Sequence, residues 1–199
     1  MPTQKDKGTA LAAAAVRPGR LQPPPVTLLE KYKGQEFEPI YSTVVTVSGG
    51  EAEHGRASGV ARSDDGNLDA QLRLPAALGG DGGGTNPEQL FAAAYAACFH
   101  GALNLLAAKK RIPVHDATVQ VSVAFGRDPV DGLFMLTAGV RIHLPDVEKS
   151  VAEELVRSTE RFCPYAKMTR DGITSVVALT ASEPAAPGRH ARQALPSHR

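Results

Sequence analysis

Two thiols carry the reactive chemistry open to this chain. Cys98 and Cys163 are its only cysteines. Two are too few for the common zinc modules, which take about four ligands, or for a disulfide-rich secreted scaffold, yet enough for one redox pair. The other reading of the same residues is packing, because free cysteine is among the most buried residue types and often simply fills space. Redox work requires the thiolate. At an unperturbed pKa near ~8.5 only a small fraction of a thiol is ionised at neutral pH. Cys98 falls in the middle of a helical stretch, so a helix N-terminus is not expected to help it. A working nucleophile there needs a cation, and arginine suits because it does not deprotonate.

The remaining candidates are weaker. His54, His100, His115, His143, His190 and His198 stand in no His-X-X-X-His or similar ligand spacing, so each is expected to be a packed or surface histidine, and no metal is expected. The run Gly79-Gly80-Asp81-Gly82-Gly83-Gly84 is not a phosphate loop, since no Gly-Lys-Ser/Thr follows it. It reads as a flexible segment that frees a substrate entrance to move.

The elements that must position the thiols are legible as alternating signals. Ile40 to Val47 is rich in β-branched residues and stops at Ser48-Gly49-Gly50, which predicts a strand and a turn. A short strand is expected through Gly59-Val60-Ala61. In Leu68 to Leu74, Leu68, Ala70, Leu72 and Leu74 share one face, a half-buried strand. A central helix starts with Asn86 as cap, Pro87 at the first position and Gln89 three after the cap. It is expected to run to about Lys109 and to be buried on all sides. Val119 to Phe125 alternates as a strand, Asp128 to Gly132 is turn chemistry, and Phe134 to Leu144 is the return strand. A second helix fits Val147 to Phe162, with Val147, Val151, Leu155 and Phe162 in the core. Pro164 stops it, leaving Cys163 at its end. A last strand, Ser175 to Ala181, is expected to close the domain. Strands interrupted by two long helices predict an α+β fold.

Composition bounds the rest. The 199 residues carry 22 Lys plus Arg against 21 Asp plus Glu, a formal net charge of +1. That balance argues against a nucleic-acid or anionic-membrane binder. Residues 1–38 and 183–199 hold few large apolar side chains and read as disordered tails around a domain at 39–182. The short Ala-rich start is too weak a hydrophobe for a secretory signal, so a cytoplasmic location is expected. The uncharged stretch Leu90 to Ala108 approaches spanning length, but its Ala content with His100, Gly101 and Asn104 favours a soluble core helix over a membrane span.

These residues also carry a resemblance. Gly84-Thr85-Asn86-Pro87-Glu88-Gln89-Leu90-Phe91-Ala92-Ala93, then Tyr95 and Ala97-Cys98-Phe99, resembles the central motif of the organic hydroperoxide resistance (Ohr) proteins of the OsmC/Ohr family. So do Ser63-Asp64-Asp65-Gly66-Asn67-Leu68-Asp69, the Leu-Pro-X-X-Leu-Gly-Gly at 74–80, and Cys163-Pro164-Tyr165. The match spans roughly residues 39–182. It implies an OsmC/Ohr-like fold, antiparallel-rich sheets around two long helices, and an interlocked homodimer. It also implies a thiol peroxidase. Cys98 would attack an organic hydroperoxide as a thiolate and become a sulfenic acid, and Cys163 would condense with it to a disulfide. Dihydrolipoamide or lipoylated proteins would then reduce the enzyme, with no bound cofactor. A resolving thiol beside a reactive one guards against over-oxidation. Phe91 and Phe99 would line an apolar pocket for the substrate.

The family also activates the thiolate with an arginine held by a glutamate. Glu88 matches the glutamate. In relatives the arginine directly follows a Gly-Gly, whereas Glu51 follows Gly49-Gly50 here. Gly55-Arg56-Ala57-Ser58-Gly59 resembles the displaced motif, so Arg56 is the expected arginine, with Arg62 as the second choice. After Cys-Pro-Tyr, relatives read Ser-Asn-Ala-Thr-Arg-Gly-Asn, and this chain has 166–172 as Ala-Lys-Met-Thr-Arg-Asp-Gly. Glu88 and Cys98 are ten residues apart, which on one straight helix is about 15 Å. A symmetric dimer pairing Glu88 of one subunit with Cys98 of the other would resolve that separation. Two alternatives remain: an OsmC-type peroxidase with another peroxide preference, and a catalytically silent binding dimer of the same fold.

Overall fold

The computed structural model describes residues 30–51 and 57–181. The chain divides into two units, 1–40 and 41–199. In the first, the described residues 30–40 form no helix or strand and are exposed. The expectation of disordered tails otherwise falls on residues outside those described.

The second unit begins with a three-stranded antiparallel sheet in the order β1 (Val45–Ser48), β2 (Ser58–Ser63), β3 (Asp69–Arg73). Pairing runs Val45 to Ser63 and Val60 to Gln71. The β2–β3 turn is held by Asp65, whose carboxylate accepts from the Ser63 hydroxyl at 2.6 Å and the Asn67 N–H at 3.0 Å. Gly59 sits at φ +94°, and a Cβ there would lie 2.5 Å from the Ser48 carbonyl, so only glycine lets β1 and β2 meet. In β3, Leu72 is buried and its neighbours Gln71 and Arg73 are exposed, as the alternation requires. The first strand is shorter than its β-branched run: Ile40 and Tyr41 lie more than three-quarters exposed, and pairing starts only at Val45.

A short 3-10 turn at Ala76–Leu78 leads to α1 (Pro87–Lys110). Asn86 Oδ1 accepts the Gln89 N–H at 2.9 Å, and Pro87 occupies the first turn. Lys109 and Lys110 occupy the last turn, where positive charge is favoured. The helix is long and apolar enough to cross a membrane by length and composition alone. Its Tyr95, Phe99, Ala102, Leu103 and Ala107 are instead buried in the core with Leu155, Cys163 and Ala166. The helix is not buried on all sides, however. Ala93, Ala97 and Gly101 lie exposed at four-residue spacing, a stripe of small residues along one face, with exposed His100 beside it.

β4 (Thr118–Arg127) and β5 (Phe134–His143) form a long antiparallel hairpin, in register from Thr118–His143 to Arg127–Phe134. Val119, Val121, Val123 and Phe125 alternate inward with exposed partners. At the turn, Asp128 and Asp131 each accept a backbone N–H at 2.8 Å. The turn end of the hairpin stays apolar and open, with Leu133, Phe134 and Leu136 between 49% and 65% exposed.

α2 (Lys149–Phe162) starts two residues after the expected Val147, because the Glu148 carboxylate caps the Ser150 and Val151 N–H groups. Leu155 and Thr159 are its buried residues, while Val151 and Phe162 remain partly exposed. Pro164 ends α2 as expected but also opens α3 (Pro164–Asp171), a helix the sequence reading missed. The strand expected at Ser175 to Ala181 does not form. Neither sheet includes the segment, and Val176, Val177 and Leu179 are at least 62% exposed. β-Branched composition supplies propensity, but a strand exists only where an edge pairs with it.

Candidate active site

The fold brings the two thiols together from opposite ends of the core. Cys98 sits on the fourth turn of α1, one position before fully packed Phe99. Cys163 is the joint residue between α2 and α3, closing the first by its N–H to Thr159 O at 2.8 Å. Their Sγ atoms lie 3.6 Å apart as free thiols. Cys163 is wholly buried, whereas Cys98 is partly exposed. A disulfide between them needs only a small closing movement.

Helix α3 contributes more than a stop to α2. Cys163 caps it and Pro164, lacking an N–H, takes the first position, so the next backbone donor is Tyr165. That N–H hydrogen-bonds the Cys98 sulfur. The expectation that no helix N-terminus reaches Cys98 is therefore corrected: its own helix offers none, but the start of α3 is turned toward it. The Cys-Pro pair, a cap residue followed by a first-turn proline, is the sequence signal that could have found α3.

The net environment nevertheless keeps Cys98 protonated. Burial pushes the thiol up to about 11 from 9.0, the thiol–thiol contact with Cys163 adds to the rise, and only the Tyr165 N–H opposes it. No arginine among the described residues acts on it. Arg56 lies outside the described residues. Arg62 is on β2, and its Nε meets Asp69 Oδ2 on the facing strand at 3.2 Å, with both side chains 58% exposed.

The other candidates separate. Phe91, seven residues before Cys98, shares its helix face and stands with Tyr95 and Tyr165 in an aromatic trio whose ring centroids are 6.1–6.5 Å apart. The Tyr95 hydroxyl reaches Thr169 Oγ1 at 3.5 Å, tying α1 to α3. Phe99 points elsewhere: at 2% exposure it is a core ring, so it packs behind the site and does not line an open pocket. Glu88 is in the first turn of α1, beside a recess formed with Phe125, Phe134, Met135 and Leu136. Because α1 is continuous over its 24 residues, Glu88 stays about 15 Å from Cys98 of the same chain. The described histidines, His100, His115 and His143, are exposed. Among the described residues no group of three His, Cys, Asp or Glu side chains could hold a metal ion.

Known proteins share this arrangement's frame. Residues 80–177 match the family model described as OsmC-like protein. The chain is 39% identical over 134 residues to the organic hydroperoxide resistance protein OhrB of Bacillus subtilis, covering 67% of this chain and 93% of that one. It is 39% identical over 142 residues to the organic hydroperoxide resistance protein of Xanthomonas axonopodis pv. citri, covering 70% and 94%. Among solved structures, B. subtilis OhrB superposes with a TM-score of 0.58 at 40% identity, over 67% of this chain and 93% of that one. An organic hydroperoxide resistance protein from Legionella pneumophila does so with 0.60 at 36% identity, over 68% and 93%.

Proposed function

The chain belongs to the OsmC/Ohr family of organic hydroperoxide resistance proteins, and from that premise we propose that it is a thiol-dependent peroxidase reducing organic hydroperoxides to alcohols. The observation that carries this reading is the 3.6 Å separation of a partly accessible and a wholly buried thiol. In the first step the Cys98 thiolate attacks the terminal oxygen of ROOH. The S–O bond forms, the O–O bond breaks, and the alkoxide leaves as ROH with a proton, giving a Cys98 sulfenic acid. The Cys163 thiol then attacks that sulfur, expelling water and closing the disulfide. A dihydrolipoyl group returns both thiols at the cost of its own two electrons. The partly buried rings of Phe91 and Tyr165 supply an apolar surface suited to the alkyl part of the substrate.

The protonated resting state of Cys98 requires a cation, and Arg56 is assigned that role, held by Glu88. With Glu88 about 15 Å away along its own helix, the glutamate serves the thiol of a second copy. A homodimer also covers the open small-residue stripe of α1 and the exposed apolar end of the β4–β5 hairpin. The raised Cys98 thiol favours one competing reading, a silent dimer of the same fold.

One experiment separates them. Stopped-flow consumption of tert-butyl hydroperoxide and of hydrogen peroxide is followed with dihydrolipoamide as reductant, for the wild type and for Cys98→Ser, Arg56→Ala and Arg62→Ala. The peroxidase turns over the organic peroxide faster, loses turnover in Cys98→Ser and Arg56→Ala, and keeps it in Arg62→Ala. No turnover by the wild type, with both thiols slow toward alkylating reagents, establishes the silent dimer.

A further inference from the structure

We infer that reduction of the oxidised protein is regioselective: the reductant attacks Cys98 Sγ, and Cys163 is the leaving group. This rests on the proposed reading in one respect, that a Cys98–Cys163 disulfide is the oxidised product.

Thiol–disulfide exchange forms a mixed disulfide, and which sulfur is attacked follows from access and from how well the other sulfur leaves. Access is unequal. Cys163 has no exposed surface and is packed among Tyr95, Leu103, Leu155 and Ala166 of the core. Cys98 is partly exposed. The attacking, central and leaving sulfurs must lie nearly in line. In the single chain Cys98 offers surface to an attacking thiolate and Cys163 offers none. An approach to Cys163 on the side away from Cys98 would pass through the core. The leaving side agrees. Cys163 is the N-cap of α3 and its side chain makes no capping hydrogen bond in the reduced chain. A thiolate released there lies at the N-terminal end of α3, the helix end that favours negative charge.

The same geometry would make a dithiol a better reductant than a monothiol. In the first step one thiolate of the dithiol bonds to Cys98 Sγ, the Cys98–Cys163 bond breaks, and its electron pair goes to Cys163, which takes up the proton the attacking thiol gave up. Cys163 is then held against the mixed disulfide it has just left and can re-attack Cys98, expelling the reductant. A monothiol is therefore returned unused in most encounters. A dithiol escapes this because its second thiol attacks its own bound sulfur. That forms the cyclic disulfide and releases the Cys98 thiolate, completing the two-electron transfer.

The test uses the full chain and two oxidants, only one of them a peroxide. The chain is oxidised with diamide in one sample and with tert-butyl hydroperoxide in another. Each is mixed with excess 2-mercaptoethanol, quenched in acid and digested with trypsin, which places the thiols on separate peptides, 74–109 and 162–167. The mercaptoethanol adduct is expected on 74–109 in at least about tenfold excess, the ratio that distinguishes a real preference from equal access. Initial reduction by dihydrolipoamide is expected to exceed that by 2-mercaptoethanol at equal thiol concentration by about a hundredfold or more, the intramolecular advantage of the second thiol. Adduct mainly on 162–167, or equally on both, overturns the inference, and so does a chain in which diamide forms no disulfide. If diamide forms the disulfide and the hydroperoxide does not, the peroxidase reading fails while the order of exchange is still read from the diamide sample.

Discussion

Cys98 is held between opposing influences, and its titration reports which one wins. Burial and the Cys163 thiol push it up to about 11 from 9.0, while the Tyr165 N–H pulls it down. If Arg56 is the activating cation, Arg56→Ala is expected to shift the alkaline inflection of iodoacetamide alkylation upward, toward 11. The same variant has a stability signature. A thiol whose folded pKa is raised binds its proton more tightly folded than unfolded. Its contribution is full below pH 9.0 and is lost as pH rises through about 11. Urea midpoints of Arg56→Ala are therefore expected to fall across that window, and those of the Arg56→Ala, Cys98→Ala double variant are not. At Cys163 the expectation concerns the oxidation ladder. Cys163→Ser leaves the sulfenic acid without its resolving thiol, so repeated hydroperoxide drives Cys98 to the sulfinic acid, read by intact mass as two added oxygens. The wild type is expected to stop at the disulfide.

The elements around the site differ in how much they tolerate. Leu103 on α1 and Leu155 on α2 have no exposed surface and belong to the one core cluster that also holds Cys163. Leu103→Ala is expected to cost about 2–5 kcal/mol in chemical denaturation, the range for emptying a packed site. Asn86→Ala removes the cap at 2.9 Å from Gln89 N and is expected to cost about 1 kcal/mol, with little effect on Cys98 three turns away. Boundaries set by caps were readable in advance: Asn86-Pro87 starts α1 where expected. α3 was not, because the sequence argument used Pro164 only to end α2. A proline that cannot continue one helix is well suited to begin the next, and the chain does both at a single residue.

At the scale of the whole molecule, a single chain leaves its Glu88 and Cys98 apart and its apolar hairpin end open. If Glu88 acts across a homodimer, Glu88→Gln and Cys98→Ser are each inactive alone yet complement when mixed and allowed to exchange subunits. Each mixed dimer carries one intact site, so an equimolar mixture is expected to recover about a quarter of wild-type turnover by random pairing. No recovery after demonstrated exchange would place Glu88 outside the partner's site. Phe134→Glu puts a charge on the exposed hairpin end and is expected to shift the chain toward monomer in sedimentation velocity, with turnover lost in parallel.

The sequence by itself determined the family, the order of strands and helices from Val45 to Phe162, and the identity of the two thiols. Those features are written in local patterns: two-residue alternation, helix caps, turn residues and short motifs, each set by interactions between near neighbours in the chain. Only the tertiary structure decided that the two sulfurs stand 3.6 Å apart, that one is sealed and the other accessible, that the start of α3 faces Cys98, and that Phe99 belongs to the core while Phe91 stands beside Tyr165. It also decided that residues 175–181, strand-like in composition, join neither sheet among the described residues. These are long-range matters. Burial, distance and strand pairing depend on segments far apart in sequence, whose meeting no local pattern encodes.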